Sequence, residues 1–231
     1  MDLANLTSIT IGGITITEPV TSLTDIILSI ISFTLFTKVK SECVKSEFHN
    51  AWRMFFLFMG ITTTIGAITH GLAEQLGARL HYIFWMFMTL SPSVAVYFSV
   101  KATILFSLDG TKWQSPINFL NVLLLIIFFL CTLTWNNFEI LKIHAGIGVF
   151  IIFITHLQAA MNKHIGSGMI VSAFSLSFIT ILIHSLQISA GAWFNYKDIS
   201  HVLMMASLIL IYTGVYRMSE NLKLAFTERR R

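Results

Sequence analysis

Seven stretches of almost unbroken apolar sequence, each about 18 to 25 residues long, constrain this chain more than any other feature. A helix of that length crosses a hydrocarbon core of about 30 Å, and a soluble domain has no need of such runs. Apolar residues make up 55% of the chain and charged residues only 11%, so most of its surface has to be compatible with lipid. The expectation is an all-α, polytopic membrane protein: a seven-transmembrane-helix bundle held in a lipid bilayer.

The apolar runs place helices at about residues 19–37, 51–72, 81–105, 117–134, 138–161, 169–190 and 199–216. Residues 18–218 then form the transmembrane domain, residues 1–17 an N-terminal segment, and residues 219–231 a basic tail. Residues 8–17 alternate around Gly12-Gly13, which suits a small β-hairpin and equally a flexible tail. Thr17 and Glu18 ahead of Pro19 make a helix start. Residues 1–17 lack a basic n-region, so no cleavable signal peptide is expected. Residues 69–81 read as a short polar turn between the second and third runs, carrying His70 and His81. Pro92 is expected to bend the third helix, because it has no N–H and crowds the preceding turn. Cys43 lies in a loop and Cys131 in an apolar run, so no disulfide joins them.

Seven spans put the termini on opposite sides. Of the 15 basic residues, Lys38, Lys40, Lys45, Arg53, Lys101, Lys112, Lys163, Arg217, Lys223, Arg229, Arg230 and Arg231 fall on one side and Arg79, Lys142 and Lys197 on the other. Basic residues gather on the cytoplasmic side, which sets the N-terminus outside and the C-terminus in the cytoplasm. The net charge of +4 is thereby a topology signal. It is not a nucleic-acid footprint, and no nucleic-acid motif, P-loop or nucleophile elbow is present.

This topology sorts the polar residues by depth. Asp25, His70, His81, His144, His184 and His201 all fall in the outer layer, and Asp25 is the one acid well inside an apolar run. Ionisable groups inside a membrane are costly and normally face the bundle interior, where they mark function. Each also has a plain structural role open to it: Asp25 bonding a neighbouring helix, the histidines reaching interfacial water. Glu74 reads as a solvated acid, and Asp198 as the cap of the last helix.

Three chemistries follow. The first is a metal site. Neutral imidazoles suit zinc, and His70, His81, His184 and His201 are the candidate ligands, with Asp25 as the carboxylate that handles a catalytic water. Seven spans, an outer N-terminus, His70 late in the second helix, an ionisable residue at position 81 and His201 early in the seventh resemble the CREST superfamily, which includes the alkaline ceramidases and the progestin and adipoQ receptors. The resemblance implies a seven-helix fold, a zinc cofactor and hydrolysis of a lipid or other amphipathic substrate. The match is partial: Gly66 stands where that family has Ser, His81 where it has Asp, and Met205 where it has the second His of the seventh helix.

The second chemistry is haem b, with His144 and His156 on one helix. Twelve residues separate them by about 18 Å and turn their rings roughly 120° apart, a poor arrangement for two stacked haems. A single outer haem, with His70 or His184 as partner, stays open. The third is non-catalytic: a transporter, receptor or assembly subunit with a polar outer cavity. No lysine lies mid-helix in the seventh span to form a retinal Schiff base, and no inverted repeat is visible.

Overall fold

The computed structural model describes residues 7–228. The tail arginines at 229–231 and the first six residues lie outside the described part. The described residues form a hairpin, β1 (Ser8–Ile11) and β2 (Ile14–Thr17), and seven helices: α1 (Pro19–Glu42), α2 (Glu47–Gly71), α3 (Ala73–Leu108), α4 (Gln114–Trp135), α5 (Phe138–Met161), α6 (Ser167–Leu186) and α7 (Tyr196–Glu228). All seven helices are long and apolar enough to cross a membrane.

β1 and β2 pair antiparallel, with Ile11 opposite Ile14. The turn between them needs two consecutive positive φ values, and Gly12 (φ 58°) and Gly13 (φ 84°) supply them at no steric cost. The hairpin does not hang free. Gln75 Nε2 donates to the Thr15 carbonyl at 2.7 Å, and the Thr17 hydroxyl donates to the carbonyl of His70. That carbonyl is one of the last of α2, which the helix itself leaves unpaired.

The helix ends depart from the apolar runs because polar residues extend several helices. α1 continues to Glu42, where Lys38 pairs with Glu42 one turn on at 3.3 Å. α2 starts at Glu47, because the Ser46 side chain caps the His49 N–H. Residues 69–81, expected as a turn, are mostly helical. α2 runs to Gly71, α3 starts at Ala73, and the break in helical dihedrals falls at Gly77 (φ 64°, ψ 168°). Ala78, Arg79 and Leu80 are good helix formers, so the chain leaves the helical conformation only at Leu72 (φ −112°, ψ 24°) and at Gly77. Pro92 sits inside α3 without leaving the helical region. α6 ends earlier than expected, at Leu186, where Gln187 takes a left-handed conformation (φ 53°).

The packing order is a closed ring: α1 against α2, α2 against α3, α3 against α5, α5 against α6, α6 against α7, and α7 back on α1. α4 stands outside this ring, packed on α3 and lightly on α5. It exposes Phe119, Leu120, Leu123 and Leu130, and α5 exposes Phe150 and Ile154. The dense core lies away from the hairpin, around Leu28, Trp52, Phe56, Ile170 and Val215, all fully buried. At that end α1 and α7 are tied by the Tyr212 hydroxyl donating to Glu42 and by the Val44 N–H donating to Ser219 at 2.7 Å. At the hairpin end the ring is looser, and there it encloses a cavity.

Candidate functional site: a cavity with a polar end

The cavity has a volume of about 800 Å³. All six ring helices line it and α4 contributes nothing. Towards the dense core its wall is apolar, with Phe55, Val96, Ile152, Leu208 and Ile211. Towards the hairpin it is polar, with Asp25, His70, His81, His184, Lys197 and His201. An apolar body with a few polar groups at one end is the usual build of a small-molecule site, and the volume lies inside the usual range of about 300–1,000 Å³.

Two polar clusters make that end. The first centres on Glu18, which is 2% exposed. Its Oε2 lies 2.8 Å from His70 Nδ1 and its Oε1 2.5 Å from Lys197 Nζ, so one carboxylate joins the end of α2 to the start of α7. Glu18 adopts a left-handed conformation (φ 45°) immediately before Pro19. That is strained for a residue with a Cβ, and such strain persists only where the surroundings hold it; here the two ion-pair partners do. Burial alone would raise the Glu18 pKa, but the hydrogen bond and charge of His70 and the Lys197 ammonium outweigh it and hold the carboxyl at about 2.

The second cluster centres on Asp25, which is 3% exposed. It lies against Gly66 of α2, where an added Cβ would come within 2.7 Å of Asp25 Oδ2. Across the seam, His201 Nε2 stands 3.6 Å from Asp25 Oδ1. His201 Nδ1 lies 2.8 Å from the Thr24 hydroxyl, which itself donates to the Thr21 carbonyl at 2.9 Å. With its single proton on the Thr21 carbonyl, the Thr24 hydroxyl is free to accept from Nδ1–H, the arrangement of the tautomer protonated at Nδ1. Nearby, Asp198 accepts from the Thr21 hydroxyl at 2.8 Å and from the Asn195 N–H at 2.7 Å. Asp198 is therefore a tie between α1 and the loop before α7. The residue that caps the helix is Asn195, whose side chain accepts from the Lys197 N–H at 2.8 Å.

The other expected residues are spread around the rim. His184 packs between Phe138 (ring centroids 5.2 Å apart) and Tyr196 (5.0 Å), and Phe138 continues to Trp85 (6.1 Å). His81 is half-buried at the mouth. Glu74 is exposed on the first turn of α3. His144 is fully buried but does not line the cavity; it faces α4, stacked on Phe128 at 4.6 Å. His156 is likewise packed, stacked on Phe106 at 4.6 Å with Nδ1 3.3 Å from the Ser167 hydroxyl. Thus His70, His81, His184 and His201 share one cavity with Asp25. Among the described residues, however, no three His, Cys, Asp or Glu side chains converge closely enough to hold a metal ion. The arrangement does not fit zinc as it stands.

Glu18 and Thr24 are the site residues that sequence reasoning passed over. Glu18 precedes Pro19 and looks only like a helix start; Thr24 is one of many threonines. Lys197 served in the sequence only as a topology charge.

The fold and the cavity define a class: a seven-helix bundle of membrane-spanning length whose six-helix ring surrounds a polar-ended cavity. Within it the chain belongs to a family of unknown function, DUF6962, whose model matches residues 20–220. No curated protein and no solved structure matches the chain.

Proposed function

We propose that the chain is an integral, multi-pass membrane protein that takes an amphipathic molecule into the cavity, polar end towards the hairpin and apolar end towards the dense core. The observation that carries this reading is the division of the cavity wall, with Asp25, His70, Lys197 and His201 at one end and Phe55, Ile152, Leu208 and Ile211 at the other. Membrane insertion is supported by the apolar side chains on the outer surfaces of α4 and α5 and by the length of all seven helices. The excess of lysine and arginine at the end away from the hairpin supports an N-terminus outside and a C-terminus in the cytoplasm.

The test is native mass spectrometry of the purified protein. The proposal expects a retained amphipathic molecule that is lost in Ala145→Phe, which fills the cavity from α5. An empty wild type, or retention unchanged by that substitution, contradicts it. A C-terminal tag accessible from outside an intact cell contradicts the orientation.

A second reading, the CREST-like metal-dependent hydrolase of a lipid or amphipathic substrate, has one favourable observation. His70 and His201 both line the cavity with Nδ1 held by hydrogen bonds, the way metal-ligating imidazoles are usually oriented. It needs a third ligand brought in from His81, His184 or Asp25. Stoichiometric zinc lost in both His70→Ala and His201→Ala supports this reading, and metal-free protein with full ligand binding counts against it. A Soret band in the purified protein would favour haem instead.

A further inference from the structure

At the polar end of the cavity the buried Asp25 carboxyl and the His201 imidazole face each other without a direct hydrogen bond. With the proton on Nδ1, donated to the Thr24 hydroxyl, neutral His201 turns a lone pair at Nε2 towards Asp25 Oδ1, 3.6 Å away. That distance is too long for a hydrogen bond. Among the described residues the Asp25 carboxylate accepts no other hydrogen bond, although it is nearly buried. The one lysine at this end of the cavity wall with a carboxylate partner across helices is Lys197, and Glu18 holds it at 2.5 Å. A buried carboxyl facing an imidazole nitrogen with no hydrogen bond between them is completed by a donor placed in the gap, and a cationic donor also balances the charge of the carboxylate. Trp85, Phe138, His184 and Tyr196 also line the cavity, packed ring against ring, and aromatic rings of this kind are favourable neighbours for a cation.

We infer that the ligand of this cavity carries a protonated primary or secondary amine, whose N–H groups are shared between Asp25 and His201 Nε2 while its apolar chain runs towards Leu208 and Ile211. The inference rests on the amphipath-binding reading and adds the chemical class of the polar end. Asp25 lies six residues inside α1 from Pro19, about 9 Å along the helix, so the amine sits below the mouth and the chain below the amine. Gly66 sets the position of the carboxylate, because any side chain there would push it off the wall of α2.

The test is competition binding to the whole protein in lipid nanodiscs, with a chelator present, using octylammonium, octyltrimethylammonium, octanol and octanoate. The expected result is that octylammonium binds tightest, about tenfold or more above octyltrimethylammonium, which has charge but no N–H to donate. Asp25→Asn and Gly66→Ala should each remove that preference, and Glu74→Gln, an exposed acid away from the cavity, should keep it. Should Asp25→Asn fail to fold, the wild-type series and Gly66→Ala decide. Equal binding of octanol or octanoate, a preference that survives Gly66→Ala, or stoichiometric zinc retained through purification overturns the amine assignment and leaves amphipath binding standing. No competition by any of the four overturns both.

Discussion

Replacing Glu18 by glutamine tests the joint that closes the hairpin end of the ring. The Glu18 carboxyl has an ordinary value of 4.5 and is held at about 2 in the fold. At about 1.4 kcal/mol for each tenfold change in acidity, the charged form contributes about 3 kcal/mol to stability. The group is almost fully buried, so solvent screening takes little from this figure. The sign follows from a lowered pKa. The contribution is complete above about pH 4.5 and is lost as pH falls towards about 2. Glu18→Gln should therefore unfold about 3 kcal/mol more easily than the wild type at pH 7, and the gap should close as pH falls from about 4.5 to about 2. Lys197→Met should cost a similar amount, and the double variant much less than the sum, because both single changes break one network. Equilibrium unfolding in mixed micelles, followed by tryptophan fluorescence, measures all three. A gap under about 1 kcal/mol at pH 7, or one that widens on acidification, refutes the reasoning.

Other substitutions probe separate parts of the fold. Gly214→Val should destabilise by about 1–3 kcal/mol, since a Cβ there meets the Gly166 carbonyl oxygen at 2.8 Å; unfolding midpoints check it. His144→Leu should be neutral or stabilising in the same assay, because both ring nitrogens are buried without a partner, and it should change no metal or haem content. Thr17→Val should lose about 1 kcal/mol and raise hydrogen exchange at the hairpin, since it removes the donor to the last turn of α2.

The seven spans are legible in the sequence because length and hydropathy are local properties. The ends are less so. Residues 69–81 are polar and look like a turn, yet only Leu72 and Gly77 leave the helical conformation, and a polar composition does not distinguish a turn from an exposed helical one. Depth was readable too: the charge bias placed Asp25, His70, His81, His184 and His201 at one level, and they share a cavity. Direction was not. His144 lies at the same level but turns to α4, because a helix that is apolar all round gives no signal of which face meets lipid and which meets protein. For the same reason nothing in the sequence put α4 outside the ring. The partner of His70 was hidden as well, since Glu18 lies beyond the apolar run and its pairing with Lys197 spans 179 residues.

Photolabelling with a diazirine-bearing alkylamine in nanodiscs, followed by peptide mapping, tests ligand binding in the cavity most directly. α4 serves as the internal control, because it faces outwards and lines none of the cavity. The account predicts saturable labelling of Ile152, Leu208 and Ile211, competed by octylammonium and lost in Ala145→Phe. Labelling confined to outward residues such as Phe119 and Leu130, without saturation, would contradict it.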